Sequence, residues 1–315
     1  MERPLNPAAR GLGLAGADAA IPRGAWWAGL LLLMAALAAW LAAQPPAALA
    51  WAERAWHDRL LHAGATRPPP AELVLVQIDE RSLQQLGPWP WPRPVLAQLV
   101  QRLRDAGARL QVWDLLLPEP AEGDPVLAAQ LAHGDVVLGQ ALVLDPDIDV
   151  PPTEGRLALS PAPPDLCSQS PLPRGHLGLA ASLGAVGAGH INATPDPDGR
   201  LRRLPAVICD ALGQRHPQLA LAAAAADEPR QAWQRIPGQG WLEPAQWLQR
   251  GRWRFALDAE GWLPVPYQRP HHAWPAISAA ALLVADAPTA AGPDLRGRVV
   301  LVGATALGVG GVAAP

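Results

Sequence analysis

Residues 73–114, LVLVQIDERSLQQLGPWPWPRPVLAQLVQRLRDAGARLQVWD, decide the fold. Residues 73–78 are a mostly apolar run bounded by chain breakers, the pattern of a strand buried on both faces. From Pro92 to Ala106, the apolar residues Val95, Leu96, Leu99, Val100 and Leu103 recur at helical spacing, and Gly107 supplies a stop. Residues 109–113 read as a second strand. Strand, helix and strand within about forty residues predict a βαβ unit with a right-handed crossover and parallel strands. Asp79 and Asp114 then stand at the carboxyl ends of two parallel strands, on one edge of the sheet. Between them lies Trp89-Pro90-Trp91-Pro92-Arg93-Pro94. Proline fixes φ and removes a backbone donor, so this segment is a stiff extended turn. Generic folding does not require two tryptophans and an arginine there.

Further along, Asp124-Pro125 predicts a helix start with Asp as N-cap and Pro at the first helical position, running to about His133. Residues 135–144 read as a strand, and 145–175, with eight prolines, as a long surface loop. Residues 177–190 are Gly- and Ala-rich, with short helix or strand. The turn signal at 195–199 leads into a strand over 200–209. A helix follows over 216–227, then linker and short helix over 228–250. Residues 252–257 and 262–267 suggest a hairpin, 278–285 a helix, and 298–303 a last buried strand ending in a Gly-rich loop. No repeat of 20–50 residues is present. The fold expected is α/β, a mixed, largely parallel sheet flanked by helices, preceded by one N-terminal transmembrane helix.

That last element rests on residues 25–44, which carry no charge. Twenty residues at a rise of about 1.5 Å span about 30 Å, the hydrocarbon thickness of a bilayer. Trp26, Trp27 and Trp40 sit near the ends, as interfacial aromatics do, and Arg3, Arg10 and Arg23 precede the run. Arg54 and Arg59 follow it, so the charge asymmetry is modest. The alternative is a cleaved signal peptide, with small-residue cleavage sites in the Ala-rich exit. The expected organisation is a disordered cytoplasmic tail at 1–24, the anchor at 25–44, and a juxtamembrane helix and Pro-rich linker at 45–70. An extracytoplasmic domain follows over 71–315.

The chain has 315 residues, half of them apolar, enough for a sizeable core. A net charge of -3 gives no footprint for nucleic acid. All 25 basic residues are arginine, which excludes a Walker lysine, a kinase strand lysine and a Schiff-base lysine. Cys167 and Cys209 are the two cysteines; they can form one disulfide in an exported domain or stay as two buried thiols. They cannot build a zinc site alone, and the eight histidines follow no helix-borne zinc pattern. Adjacent His271 and His272 point apart in a strand. No cofactor or metal is expected.

The order of motifs resembles the second type of CHASE domain, the cyclase/histidine-kinase-associated sensory extracellular domain. The fragments that carry the resemblance are Ile78-Asp79 with Ser82, Gly87, Pro90-Trp91-Pro92-Arg93, Ala106-Gly107-Ala108, Asp114, Asp124 and Gly189-His190-Ile191-Asn192. Pro195-Asp196, Asp198-Gly199, Arg202-Arg203, Pro275, residues 277–280 and residues 295–305 continue the series. The family usually has an Asp and a Thr-Pro after its last strand loop; here Gly310-Gly311 and Ala314-Pro315 stand instead. The resemblance implies a bacterial sensor in the cytoplasmic membrane, the bulk of the chain extracytoplasmic. Members normally continue into membrane helices and a cyclase, diguanylate cyclase or kinase, so this chain reads as a C-terminally shortened or stand-alone sensor. The expected partners are the cytoplasmic membrane, a small-molecule ligand and a second copy of the chain, with no nucleic acid. A signalling-dead fragment or envelope interaction module is the alternative.

The candidate ligand-binding or switch residues are Asp79, Ser82, Trp89, Trp91, Arg93, Asp114 and His190. Asp79 and Asp114 with Arg93 suit an acid–base cluster facing a ligand, since open α/β sheets bind at strand carboxyl ends. The structural alternative is that the aspartates cap turns and Arg93 neutralises them. Trp89 and Trp91 suit stacking on a ligand, or plugging a core. His190 is polar core or a ligand contact. Asp196-x-Asp198-Gly199 fits a tight turn better than a calcium loop, because the later glutamate is missing. No phosphate loop or nucleophile elbow occurs, so no catalytic residue is expected. An extracytoplasmic hydrolase would need Asp79, Asp114 and His190 within hydrogen-bond reach of one another.

Overall fold

The strand Leu73–Ile78 (β1) pairs on both sides with parallel strands, Ala276–Ser278 (β14) on one side and Val299–Ala304 (β15) on the other. In the computed structural model, residues 23–43, 72–196, 198–239, 243–265, 273–284 and 292–306 are described, with side chains from 26 to 40 in the first segment. Beyond β15 the sheet continues in parallel through Leu110–Asp114 (β2), Val136–Val143 (β3) and Gly187–His190 (β6). The far end of β3 also pairs antiparallel with Gly175–Leu177 (β5), which carries Thr153–Glu154 (β4) on its outer side. The sheet is therefore mixed and largely parallel, as expected.

The unit expected at 73–114 forms with one difference: β15 lies between β1 and β2. Leu75, Leu301 and Val112 stand side by side across the three strands. The crossover from β1 skips one position, which the C-terminal strand fills. Two helices make that crossover, Glu80–Leu86 (α2) and Arg93–Asp105 (α3). They pack with Asp124–Leu131 (α4) and Ala279–Leu283 (α6) over one face, burying Leu96, Leu99, Val100, Leu103 and Leu127 against Val74, Val76 and Trp113. The helical stripe read from the sequence is this buried face.

The opposite face is covered by Leu219–Asp227 (α5), whose Leu219 and Ala222 meet Leu110, Val112 and Val137. Helix α5 touches β2, β3 and β6. On β1, accordingly, Val74, Val76 and Ile78 are buried while Leu73, Leu75 and Gln77 are half-buried. The expectation that β1 is buried on both faces holds only in part, and β2 is the strand whose first four residues are all buried.

A second core lies under the C-terminal half. Gln234–Pro237 (β10), Gln246–Arg250 (β11) and Trp253–Leu257 (β12) form an antiparallel sheet. Its Leu248 and Leu257 join Trp233, Leu221 and Val207. Residues 228–250 thus hold two strands where linker and short helix were expected. The strand expected over 200–209 is broken into Arg203–Pro205 (β7) and Val207–Cys209 (β8), which pair with Trp262–Pro264 (β13) and Arg215–Pro217 (β9) respectively. The expected 252–267 hairpin does not form as a ladder: β12 pairs with β11 and β13 with β7.

The long Pro-rich loop is more than surface. The buried side chain of Gln140 donates to the Ala158 carbonyl at 3.1 Å and accepts from the Ala158 N–H at 2.9 Å. Ser168 is buried, and Cys167 is disulfide-bonded to Cys209. Backbone polar groups of a partly buried loop need such partners.

The first compact unit, by itself, contains the 21-residue helix Arg23–Ala43 (α1) with exposed side chains over 26–40. Among the described residues, no helix is long and apolar enough to cross a membrane. Residues 1–22 of the tail expected at 1–24, the linker at 45–70 and the His271-His272 pair lie outside the described residues.

Candidate functional site

The turn between α2 and α3 starts at Gly87, whose φ of +95° favours glycine. The Trp91 indole N–H donates to the Gly87 carbonyl at 3.0 Å, which folds the buried Trp91 ring back on the turn. Trp89 is half-buried and meets Trp91 edge to face, with ring centroids 5.7 Å apart. Trp91 thus plugs the core end while Trp89 keeps an accessible face. Opposite them runs the segment 115–123, which leaves the carboxyl end of β2. The two segments enclose a cleft of about 460 Å³ lined by Trp89, Trp91 and Arg93 on one side and Leu117, Glu119 and Glu122 on the other. Its size falls within the range of about 300–1,000 Å³ common for small-molecule sites.

Arg93 is buried beneath the cleft. Its Nε donates to Asp124 Oδ1 at 2.8 Å and its Nη2 to the Glu119 carbonyl at 2.8 Å. Asp124 also accepts from the Ala121 N–H at 3.0 Å and from the Ser182 hydroxyl. Burial pushes the Asp124 carboxyl up, but its hydrogen bonds from Ser182, Ala121 and Arg93 and the Arg93 charge hold it below the usual value. The Asp N-cap expected for this helix is corrected. Gly123, with φ of +87°, is the N-cap, and Asp124 stands one residue inside, where it faces Arg93. Arg93 neutralises Asp124, not Asp79 or Asp114.

Asp79 caps α2. It accepts from the Ser82 N–H at 2.9 Å, the Ser82 hydroxyl at 2.6 Å and the Ser278 hydroxyl at 2.8 Å. Partial burial raises its pKa, and these donors more than offset that, leaving it below the ordinary value. Ser82 is fully buried, and its hydroxyl also accepts from the Ala280 N–H at 3.1 Å. This cluster ties α2 to the junction of β14 and α6, the structural reading of Asp79.

The Asp114 carboxylate has no hydrogen bond or ion pair among the described residues. Its side chain reaches solvent, yet crowding by neighbouring atoms strips enough water to raise its pKa. Desolvation without donors, the opposite of the Asp79 case, explains the sign. β15 separates Asp79 from Asp114, and two inter-strand spacings amount to about 10 Å.

His190 is fully buried at the end of β6, facing His216 rather than the cleft. Burial first, then the neighbouring His216, push its pKa down to about 3, while the Pro205 carbonyl opposes them. That carbonyl lies toward the ring without completing a hydrogen bond, since neither ring nitrogen has a partner among the described residues. Asp79, Asp114 and His190 therefore do not converge, which removes the arrangement a hydrolase would need. At the 196–199 turn, Arg202 pairs with both Asp196 and Asp198, at 2.7 and 2.8 Å. Among the described residues, no His, Cys, Asp and Glu group is placed to hold a metal.

Of the seven sequence candidates, Trp89, Trp91 and Arg93 come together at the cleft, and Asp79 and Ser82 at the helix cap. Asp114 and His190 stand apart from both. Sequence reasoning missed Glu119 and Glu122. The signal was there: Pro118-Glu119-Pro120 lies in the segment that leaves a strand carboxyl end, the edge that open α/β sheets use for ligands.

The fold is an open, mostly parallel α/β sheet with a cleft at its carboxyl edge. The chain matches the family model of the CHASE2 domain over residues 30–314 and belongs to that family of extracellular sensory domains. The CHASE2 domain is sensory and not itself catalytic. No curated protein and no solved structure gives a significant match to the chain.

Proposed function

We propose that this chain is the extracytoplasmic sensory region of a bacterial membrane receptor that binds a small molecule in the Trp-lined cleft. The observation that carries the reading is the cleft itself, formed by two loops at the carboxyl edge of the sheet and floored by the buried Arg93–Asp124 pair. Both loops lead into helices of one layer, so a ligand that draws them together shifts α3 against α4. A two-state element of this kind is what a receptor needs. The Cys167–Cys209 disulfide supports an oxidising compartment. The uncharged run 25–44 supports a membrane anchor, and pairing of two copies would let each pass the shift to its partner. Nothing in the cleft calls for catalysis.

A reporter fusion tests the placement. Alkaline phosphatase, active only outside the cytoplasm, is joined behind residue 306 and, separately, ahead of Arg23. Activity from the first fusion alone is expected. Activity from the second alone sinks the reading.

A further inference from the structure

We propose that the cleft takes a small organic cation, an ammonium group carried on an apolar body. This deepens the sensory reading and rests on it. The lining is unusually poor in donors. Pro90, Pro92 and Pro118 have no N–H. Several donors beside them are engaged elsewhere: the Trp91 indole with Gly87, the Ala121 N–H with Asp124, and the Arg93 Nε and Nη2 with Asp124 and the Glu119 carbonyl. The cleft can accept hydrogen bonds but has few to give.

Its charge points the same way. The Arg93 guanidinium is matched by Asp124. Glu119 and Glu122 are exposed in the lining, and their carboxylates have no hydrogen bond or ion pair among the described residues. Two uncompensated negative charges thus face a cavity with a half-exposed indole. An aromatic face attracts a cation through its quadrupole, and carboxylates nearby add to that attraction. An anion would meet two like charges in the lining, with the Arg93 charge already matched by Asp124. A sugar would find acceptors for its hydroxyls but few donors for its oxygens.

The test uses the full chain in a non-ionic detergent and isothermal titration calorimetry. The probes are choline, its uncharged isostere 3,3-dimethylbutan-1-ol, and the anion 3-methylbutanoate. Choline is expected to bind at least about tenfold tighter than the isostere, a difference the cation–π and carboxylate contacts together can supply. The Glu119→Gln/Glu122→Gln double variant should weaken choline and leave the isostere unchanged. Trp89→Ala should weaken both. Because the glutamates are exposed, the double variant keeps the fold even if the tryptophan variant does not. Glycerophosphocholine separates a lipid headgroup from a free cation: its phosphate faces the glutamates, so it is expected to compete poorly.

Equal or tighter binding of the isostere, binding of the anion, choline affinity indifferent to the glutamates, or no heat from choline each overturns the inference. A neutral or anionic probe lost on Trp89→Ala would overturn the cation while leaving the sensory reading standing. The phosphatase fusions judge that reading separately.

Discussion

At the scale of single residues, Asp124 shows how one carboxylate organises a site it does not itself expose. It holds Arg93 from α3, the Ala121 N–H of the cleft loop and the Ser182 hydroxyl beyond α4. Removing Arg93 would leave a buried carboxylate without its counter-charge, which typically costs about 3–5 kcal/mol. Arg93→Ala is therefore expected to shift the denaturant midpoint sharply, and Arg93→Met to do so as well, since neither restores the charge. A small effect in equilibrium urea unfolding would show that water reaches Asp124. His190 makes a different prediction. Its folded pKa of about 3 lies below the ordinary value of 6.5, so the folded state holds it neutral while the unfolded chain takes up a proton. Its contribution is complete above about pH 6.5 and is lost as the pH falls toward 3, amounting to roughly 2 kcal/mol by pH 5. Stability measured at pH 7 and pH 5 should fall by about that much more in the wild type than in His190→Leu. Equal slopes would place the acid sensitivity elsewhere.

At the scale of elements, the contact of α5 with the sheet depends on the absence of a side chain. A Cβ on Gly189 would stand 2.5 Å from the Leu219 Cα and 2.8 Å from the Ala222 Cβ. Backbone cannot yield as a flexible side chain can, so Gly189→Ala must push α5 off β6, at an expected cost of about 1–3 kcal/mol. Thermal unfolding measures the cost; an unchanged Tm would mean the helix floats on the sheet. Elements of this buried kind were legible in the sequence when their periodicity was strong. The stripe of Leu96, Leu99, Val100 and Leu103 and the apolar run of β15 each have one burial pattern available to them. β10 and β11 were not legible, because Gln, Arg and Trp alternate there on a sheet with one wet face and the register is set by partners rather than by local pattern. The place of β15 between β1 and β2 was not legible either, since periodicity gives a strand but not its neighbours. Asp124 misled for a related reason: its spacing to Pro125 fits an N-cap, while its partner Arg93 lies 31 residues away. The cleft was half legible: the Trp-Pro turn announced one wall, and the other came from a loop whose only mark was its place after a strand.

At the scale of the whole molecule, the cross-links run between regions that the main sheet does not join. The Cys167–Cys209 disulfide closes 42 residues and fixes the Pro-rich loop to β8, where the Ser168 N–H donates to the Val207 carbonyl and the Ser168 hydroxyl accepts from the Val207 N–H. Arg109, at the start of β2, and Arg252, before β12, both reach the buried Asp227 at the end of α5, with the Trp253 indole completing the set. The loop and the second core are thus tied down by a covalent bond and by a polar knot, the first of which depends on the compartment. A loop of that length loses about 4 kcal/mol of unfolded-state entropy when closed, in the chain-entropy account. Reduction, or the Cys167→Ala/Cys209→Ala double variant, is expected to lower stability by up to that amount. The cleft, whose walls do not include the disulfide or β8, should keep its ligand affinity at temperatures where the chain stays folded. Urea unfolding with and without reductant, run beside calorimetry, separates the two quantities. A loss of ligand affinity on reduction without a loss of stability would show that the loop communicates with the cleft, and the disulfide would then belong to signalling rather than to the scaffold.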